Sequence, residues 1–236
     1  MTARIGIILF ARMSSSRLPG KMLRPLGPTT LFERVVARAR TLGFPLVLAT
    51  SSDRSDDPLE AEANRLEVPV FRGSLDDVLG RACDAARFAG FDAFARLCGD
   101  RPFLPLYDTR RGLALMDERL RRGEACDLVT NARPRPVPPG LTMEVIRTAA
   151  LEHLRTHAPS PESREHVTTG LLASGGGYAV TEIRSPLQDF PPIPLAIDTE
   201  DDLVRLGRFI EANPRVDLCE QVAIRVLMQV PWAAPA

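Results

Sequence analysis

The sequence predicts an α/β fold: one domain over residues 1–236, with a mainly parallel central sheet flanked by helices. Two observations carry this. Short, near-continuous apolar runs alternate with segments of helical periodicity, the pattern of stacked βα units. At 236 residues and 44% hydrophobic, the chain also holds enough apolar material for a sizeable core.

The elements follow in order. Arg4–Phe10 (RIGIILF) is a short apolar β-type run. Thr29–Gly43 (TTLFERVVARARTLG) sets Leu31, Val35, Val36, Ala39 and Leu42 at helical spacing, with a threonine cap before them and a glycine after. Pro45–Thr50 (PLVLAT) is a second buried strand, DDPLEAEANRLE is helical, and VPVFRG is strand then turn. SLDDVLGRACDAARFAG predicts a helix with Ser74 as its N-cap. Asp92–Asp100 (DAFARLCGD) runs from strand into loop, and TRRGLALMDERLRRG is helical. From Ala125 the pattern loosens. DLVTNA and LTMEVIR are candidate strands on either side of the proline-rich loop Arg133–Gly140. AALEHLRTHA and ESREHVTTGLLAS are helical, and GGG turns into the strand YAVTEI. PLQDFPPIP is a loop, PLAIDT a short strand, and EDDLVRLGRFIEAN and DLCEQVAIRVLMQV close the chain as helices. Residues 132–185 are expected to form an insertion, of the kind that holds a substrate lid or a dimer contact.

Net charge is zero and the pI is about 6.8, which argues against a bulk nucleic-acid or polyanion binder. A local basic pocket for one phosphorylated ligand stays open. Cys83, Cys98, Cys126 and Cys219 are scattered without a CxxC pair, as in reduced core thiols of a cytosolic protein. IGIILF is too short to span a membrane, and no basic n-region with a cleavable apolar stretch opens the chain. A cytoplasmic protein without a membrane partner is expected.

Phe10–Leu23 (FARMSSSRLPGKML) follows the first strand and carries Lys21, the only lysine in the chain. A polar, turn-rich loop between strand and helix is where α/β folds bind ligands. Inward-pointing loop amides form an anion nest. Arg12, Arg17 and Lys21 add cations, with Pro19 and Gly20 fixing the turn. Arginine forks a phosphate bidentately, whereas lysine offers a compact point charge. The chemistry is that of a polyphosphate loop. It is not a Walker A loop, since Ser15 and Met22 stand where that motif needs glycine and a hydroxyl. Asp100, just past an apolar strand in LCGDRPFLP, and Asp198, ending PLAID, are carboxylates suited to Mg²⁺, which takes oxygen ligands while binding phosphates. Asp100 is equally placed to cap a turn. Glu200, Asp201 and Asp202 are explained by the dipole of the helix they open, behind a Thr199 cap. The set suits phosphoryl chemistry on a nucleoside triphosphate.

ARMSSSRLPGKML resembles the signature loop of the cytidylyltransferases that activate acidic sugars, most closely those of the spore-coat polysaccharide biosynthesis protein F type. LATSSDRSDDPL, VFRGSLDDVLGR, GDRPFL, GLTMEVI, SREHVT and AIDTEDDL follow in the family's order and extend the likeness over almost the whole chain. The resemblance implies a GT-A-like, Rossmann-related nucleotidyltransferase. It would move CMP from CTP to a sugar acid or similar acceptor in glycan or cell-surface polysaccharide synthesis, with Mg²⁺ as cofactor and pyrophosphate released. It also implies a homodimer. By the same resemblance, Ala11, Arg12, Ser14, Arg17 and Lys21 hold the triphosphate, and Thr50, Arg72, Asp77 and Arg81 line the nucleoside pocket. Asp100 and Asp198 hold the metal; Glu144, Arg164 and His166 face the acceptor. Arg17, Lys21 and Asp100 are the catalytic set.

The sequence departs from the family's pattern at several points. Phe10 stands where glutamine is usual, and Gly80 replaces an acid before Arg81. Pro139 and Thr142 stand where aspartates are common. The acceptor side has thus lost acids, which points to an unusual acceptor or a degenerate enzyme. The alternatives left open are another base such as GTP, a phosphonate or phosphate acceptor, and a nucleotide-binding scaffold. Arg101 adds a cation beside Asp100. His153 and His157 stand four apart on a helix but lack a third ligand, so they fit a solvated face. SGGGYA lacks the spacing of a dinucleotide fingerprint and fits a turn. Trp232 fits packing, and Ser14–Ser16 have no histidine nearby in sequence to make a nucleophile.

Overall fold

Strand β1 (Ile5–Phe10) is buried at every position. Ile7 and Leu9 enter one apolar cluster and Ile8 and Phe10 another, as the two-residue period of a strand requires. A strand buried on both faces needs helices on both sides of its sheet. That is the architecture of the computed structural model, which describes residues 3–133, 136–157, 164–173 and 177–213.

The other strands are β2 (Pro25–Leu26), β3 (Thr29–Thr30), β4 (Leu46–Ser51), β5 (Val70–Gly73), β6 (Ala93–Cys98), β7 (Leu128–Thr130), β8 (Glu144–Arg147) and β9 (Val180–Glu182). Among the described residues, seven strands form the central sheet in the order β5-β4-β1-β6-β8-β7-β9, and β2 pairs β3 separately. β4 and β6 flank β1 in parallel, and β5 pairs β4 in parallel. β8 alone is reversed, antiparallel to both β6 and β7, while β9 is parallel to β7. The mainly parallel sheet therefore matches the sequence expectation. β8 and β9 both belong to this sheet although they fall within 132–185.

Helices α1 (Leu31–Arg40), α2 (Asp57–Arg65) and α4 (Leu106–Arg122) cover one face, together with α7 (Glu200–Ala212). Helices α3 (Val78–Ala89), α5 (Thr148–His157) and the single turn α6 (Thr169–Leu172) cover the other. A capping box opens α1: Glu33 N–H donates to Thr30 Oγ1 at 3.1 Å, and Thr30 N–H to Glu33 Oε2 at 2.7 Å.

Three expectations change. The cap of α3 is Asp77, which accepts from Gly80 N–H at 2.9 Å; Ser74 lies one turn earlier and accepts from Asp77 N–H. A Cβ at Gly80 would lie 2.5 Å from the Asp77 carboxylate, so any other residue there would require that carboxylate to shift. The expected strand Pro194–Thr199 does not form. Leu195 N–H donates to Pro139 O and Ile197 N–H to Asp100 O, both at 2.8 Å, so its bonds go to two different loops rather than to one strand. Around SREHVTTGLL the main helix is only α6. The run Val167–Thr169 is β-branched and unfavourable to helix, and the Thr168 hydroxyl is engaged by Glu144. The expected final helix, Cys219, Trp232 and Gly175–Gly176 lie outside the described residues.

One buried side chain positions the end of the sheet. Asn131 is fully buried, and its Nδ2 donates to Asp108 Oδ2 at 2.8 Å and to Leu141 O at 3.1 Å. Its Oδ1 accepts from Met143 N–H at 2.7 Å. The amide thereby ties α4 to the 138–143 loop. Asn131→Ala strands these partners and is expected to lower unfolding stability by about 2–4 kcal/mol, read as a reduced urea midpoint; an unchanged midpoint would show that the network carries no such weight.

Candidate functional site

The chain leaves β1 toward β4 on one side, whereas β6 lies on the other. The loops after β1 and β6 therefore part, which in a sheet of this kind opens a crevice at the carboxyl ends of the strands. Phe10 and Cys98 are register partners at that point. A cavity of about 960 Å³ opens there, lined by Ala11, Arg12, Arg17 and Lys21 after β1, Asp76 and Arg81 near the start of α3, Asp100 and Arg101 after β6, and Asp198. Phe10, Arg96, Pro139, Gly140, Thr142, Glu165 and His166 line it as well.

The loop after β1 is built from its backbone inward. Met13 O accepts from Ser15 N–H and Gly20 N–H, each at 2.9 Å. Gly20 takes φ +72°, a left-handed turn that suits glycine, and delivers the chain into the 3-10 turn Lys21–Leu23. The loop crosses tightly over Gly99, where a Cβ would lie 2.7 Å from Met22 Cε and 2.8 Å from Ala11 Cβ. Its anchor is Asp56, which is fully buried. Asp56 Oδ1 accepts from Met13 N–H at 2.6 Å, and Oδ2 accepts from Thr50 Oγ1 and Ser51 N–H, both at 2.9 Å, and from the Ser51 hydroxyl. In sequence Asp56 looks like one of several acids at a helix start; its role depends on a contact 43 positions away.

Lys21 is 8% exposed. Its Nζ donates to Ile197 O at 2.7 Å, to Asp100 Oδ2 at 3.2 Å and to Asp198 Oδ1 at 3.5 Å. Arg17 reaches Asp198 Oδ1 at 3.1 Å from the exposed rim. The lone lysine and both strand-end aspartates thus meet at one point. The two carboxylates supply hard oxygen donors on the cavity wall and leave room for phosphate oxygens and water, a donor set that fits Mg²⁺. Among the described residues no cluster of three or more metal-ligating side chains occurs. His153 and His157 stack in solvent with ring centroids 4.0 Å apart.

The remaining expected site residues divide. Ala11, Arg12, Arg81 and His166 line the cavity. Arg81 is buried and donates to the carbonyls of Ser74 and Leu75, which holds the loop before α3. Burial, and then the nearby Arg12 charge, push its pKa below the usual arginine value. Ser14, Thr50, Arg72, Asp77, Glu144 and Arg164 do not line the cavity. Ser14 Oγ is buried without a partner among the described residues. Thr50 is bound to Asp56, and Arg72 pairs with Asp57 and Glu60 at 2.7 and 2.6 Å. Asp77 caps α3 and pairs with Arg164 at 2.9 Å. Glu144 lies behind the wall: its Oε2 accepts from Arg96 Nη1 and its Oε1 from Thr168 Oγ1, each at 2.6 Å. Sequence reasoning missed Asp56 and Arg96. For Arg96 the available signal was a charge inside an otherwise apolar strand.

Comparison with known proteins agrees with this geometry. A sequence profile of the cytidylyltransferase family matches residues 5–168. The chain is 32% identical to the spore coat polysaccharide biosynthesis protein SpsF of Bacillus subtilis, over 96% of this chain and 95% of that one. A cytidylyltransferase from Leptospira borgpetersenii superposes with a TM-score of 0.85 at 28% identity, covering 96% of this chain and 94% of the other. CMP:2-keto-3-deoxy-manno-octonic acid synthetase, solved with CTP, shares the fold at a TM-score of 0.66 and 18% identity, covering 89% and 100%.

Two outcomes follow from the buried carboxylates. Asp56→Ala removes the acceptor of three side-chain and backbone donors besides Met13 N–H, and is expected to cost about 3 kcal/mol in urea unfolding. Amide exchange should quicken over residues 12–20; slow exchange there would remove Asp56 as the anchor. Burial alone would raise the Glu144 pKa, but Arg96 and the Thr168 hydroxyl outweigh it and hold the carboxyl below its ordinary value of 4.5. Its folded pKa being depressed, the stabilisation is complete above that ordinary value and is lost as pH falls through the lower folded value. Acid titration of stability in Glu144→Gln should lack this component.

Proposed function

Because the chain belongs to the cytidylyltransferase family, we propose that it moves CMP from CTP to a sugar acid or similar hydroxyl-bearing acceptor and releases pyrophosphate, with Mg²⁺ bound. The observation that carries this is the meeting of Lys21, Asp100 and Asp198 on the wall of the cavity beside Arg12 and Arg17. In this reading Arg12, Arg17 and Lys21 bind the triphosphate, with Ala11 and Ser14 shaping the loop around it. Arg81 orders the loop that meets the nucleoside, while Thr50, Arg72 and Asp77 hold the same region from behind.

The acceptor oxygen attacks the α-phosphorus. An O–P bond forms, the bond from the α-phosphorus to the bridging oxygen breaks, and pyrophosphate leaves opposite the attack. The hydroxyl proton passes to solvent. Arg17 and Lys21 balance the charge that grows on the leaving group. Asp100 and Asp198 would hold Mg²⁺, which when bound neutralises phosphate oxygens. His166 sits at the acceptor end, and Glu144 and Arg164 support that end from behind the wall. Residues 164–166, within 132–185, place Glu165 and His166 on the cavity, which supports a lid role for this stretch. We place the homodimer contact there as well. The spore-coat relative's name supports a role in cell-surface polysaccharide synthesis.

Pyrophosphate release from CTP with Mg²⁺ across a panel of sugar acids tests the reaction. Absence of turnover with every nucleotide, together with no thermal shift by CTP, would overturn it. Turnover of GTP alone would reassign the base. Lys21→Arg is expected to keep the fold and lose about 10²–10³-fold in rate, because a broad planar fork does not fit a buried position shared by three oxygens. Asp198→Asn should abolish Mg²⁺-dependent turnover; retained turnover would remove it from the metal site.

A further inference from the structure

Helix α5 carries two of the chain's three histidines, His153 and His157, four residues apart and therefore on one face. Both are exposed. Their rings stack with centroids 4.0 Å apart and 13° between the planes. Exposed side chains with nothing to hold them spread over several rotamers. These two are held, each by the same ring nitrogen. His157 Nδ1 lies 2.9 Å from His153 O and 2.7 Å from Thr156 Oγ1. A carbonyl only accepts, so His157 carries a proton on Nδ1. Thr156 Oγ1 donates to His153 O at 3.0 Å. His153 Nδ1 lies 3.0 Å from the Tyr178 hydroxyl, and these two rings meet edge to face at 5.8 Å.

The consequence falls on the other nitrogen of each ring. With Nδ1 tied, neutral His157 presents an unprotonated lone pair on Nε2. His153 does the same when the Tyr178 oxygen accepts from Nδ1–H. Neither Nε2 has a protein partner among the described residues. A ring N–H bonded to a carbonyl or another oxygen is the usual support behind a metal-ligating histidine, because it fixes tautomer and orientation. Histidines four apart on a helix present two ligands on one face. Nitrogens that share one cation at about 2.0–2.1 Å each lie within about 4.2 Å of one another. The 4.0 Å stacking distance meets that limit, and exposed rings are free to tilt toward the ion. The neighbouring charges do not oppose a cation. Glu152 pairs with Arg87 at 2.6 Å and Asp84 with Arg155 at 2.8 Å, so two acids offset two arginines.

We infer that His153 and His157 form a two-histidine chelate for a divalent transition cation such as Ni²⁺, Cu²⁺ or Zn²⁺, with water completing its shell. Imidazole suits these ions, whereas Mg²⁺ takes oxygen ligands. Neither histidine lines the cavity, so the site is separate from Asp100 and Asp198. The face that the sequence reads as solvated is also a chelating face, one that needs no third protein ligand. Occupancy fixes His153 in the tautomer that donates to Tyr178, and so pins α5 to the chain entering β9. The inference does not depend on the cytidylyl-transfer reading.

The untagged full chain, in excess Mg²⁺ to fill oxygen sites, is titrated with NiCl₂ by calorimetry. Saturable binding of about one Ni²⁺ per chain is expected, since imidazole suits this ion. His153→Gln and His157→Gln are changes at exposed positions. Each should weaken binding at least about a hundredfold, the advantage of a second ligand on the same scaffold. His166→Gln, at the remaining histidine, should leave the affinity unchanged. Tyr178→Phe removes only the tether and should weaken binding about tenfold; parental affinity would overturn the part given to Tyr178. Ni²⁺ should also raise the melting temperature of the parent, because it binds the folded helix, and leave that of His153→Gln/His157→Gln unmoved. Absence of saturable binding overturns the site. So does parental affinity in either single variant, or an equal melting shift in the double variant. Loss of binding in His166→Gln would place the cation in the cavity and overturn it as well.

Discussion

A single buried ammonium gathers this site. Lys21 Nζ holds Ile197 O at 2.7 Å and faces Asp100 and Asp198 at 3.2 and 3.5 Å. Segments that lie 79, 176 and 177 positions from it in the chain are thereby fixed to one point. Burial makes the arrangement demanding, because an unpaired ammonium out of water is costly. The loop must bring the lysine in, and the two carboxylates must be there to meet it. Gly20, Gly99 and the Asp56 anchor are the local conditions that let the loop do so.

The rest of the cavity wall depends on similar clamps set one layer behind it. Asp56 holds the loop after β1, Arg81 the loop before α3, Asn131 the 138–143 loop, and Glu144 the guanidinium of Arg96. Each clamp is buried and bound to backbone or to an opposite charge. Groups at the surface of a site keep their geometry only when the groups behind them are locked. This is why several residues singled out from sequence, Thr50, Asp77 and Glu144 among them, belong to the support and not to the wall itself.

The cavity wall is not uniform in chemistry. On one part of it exposed Arg12 and Arg17 and buried Lys21 stand beside Asp100 and Asp198. Elsewhere on it Arg96 is paired with Glu144, and Phe10, Pro139 and Thr142 carry no charge.

The sequence by itself determined the layered α/β class, the helices α1, α2, α4 and α7, and the cation-bearing turn after β1, and it singled out Lys21, Asp100 and Asp198, which the structure brings together. These are local signals: apolar period, caps, turn residues and charges at strand ends. The tertiary structure alone decided the reversed direction of β8, the failure of Pro194–Asp198 to become a strand, and the work of Asp56 and Arg96. Strand direction depends on which neighbour a strand meets, and an extended segment becomes a strand only if one partner runs beside it. A buried carboxylate or guanidinium takes its role from the groups packed around it, and for Asp56 and Arg96 their hydrogen-bond partners Met13 and Glu144 lie 43 and 48 positions away along the chain.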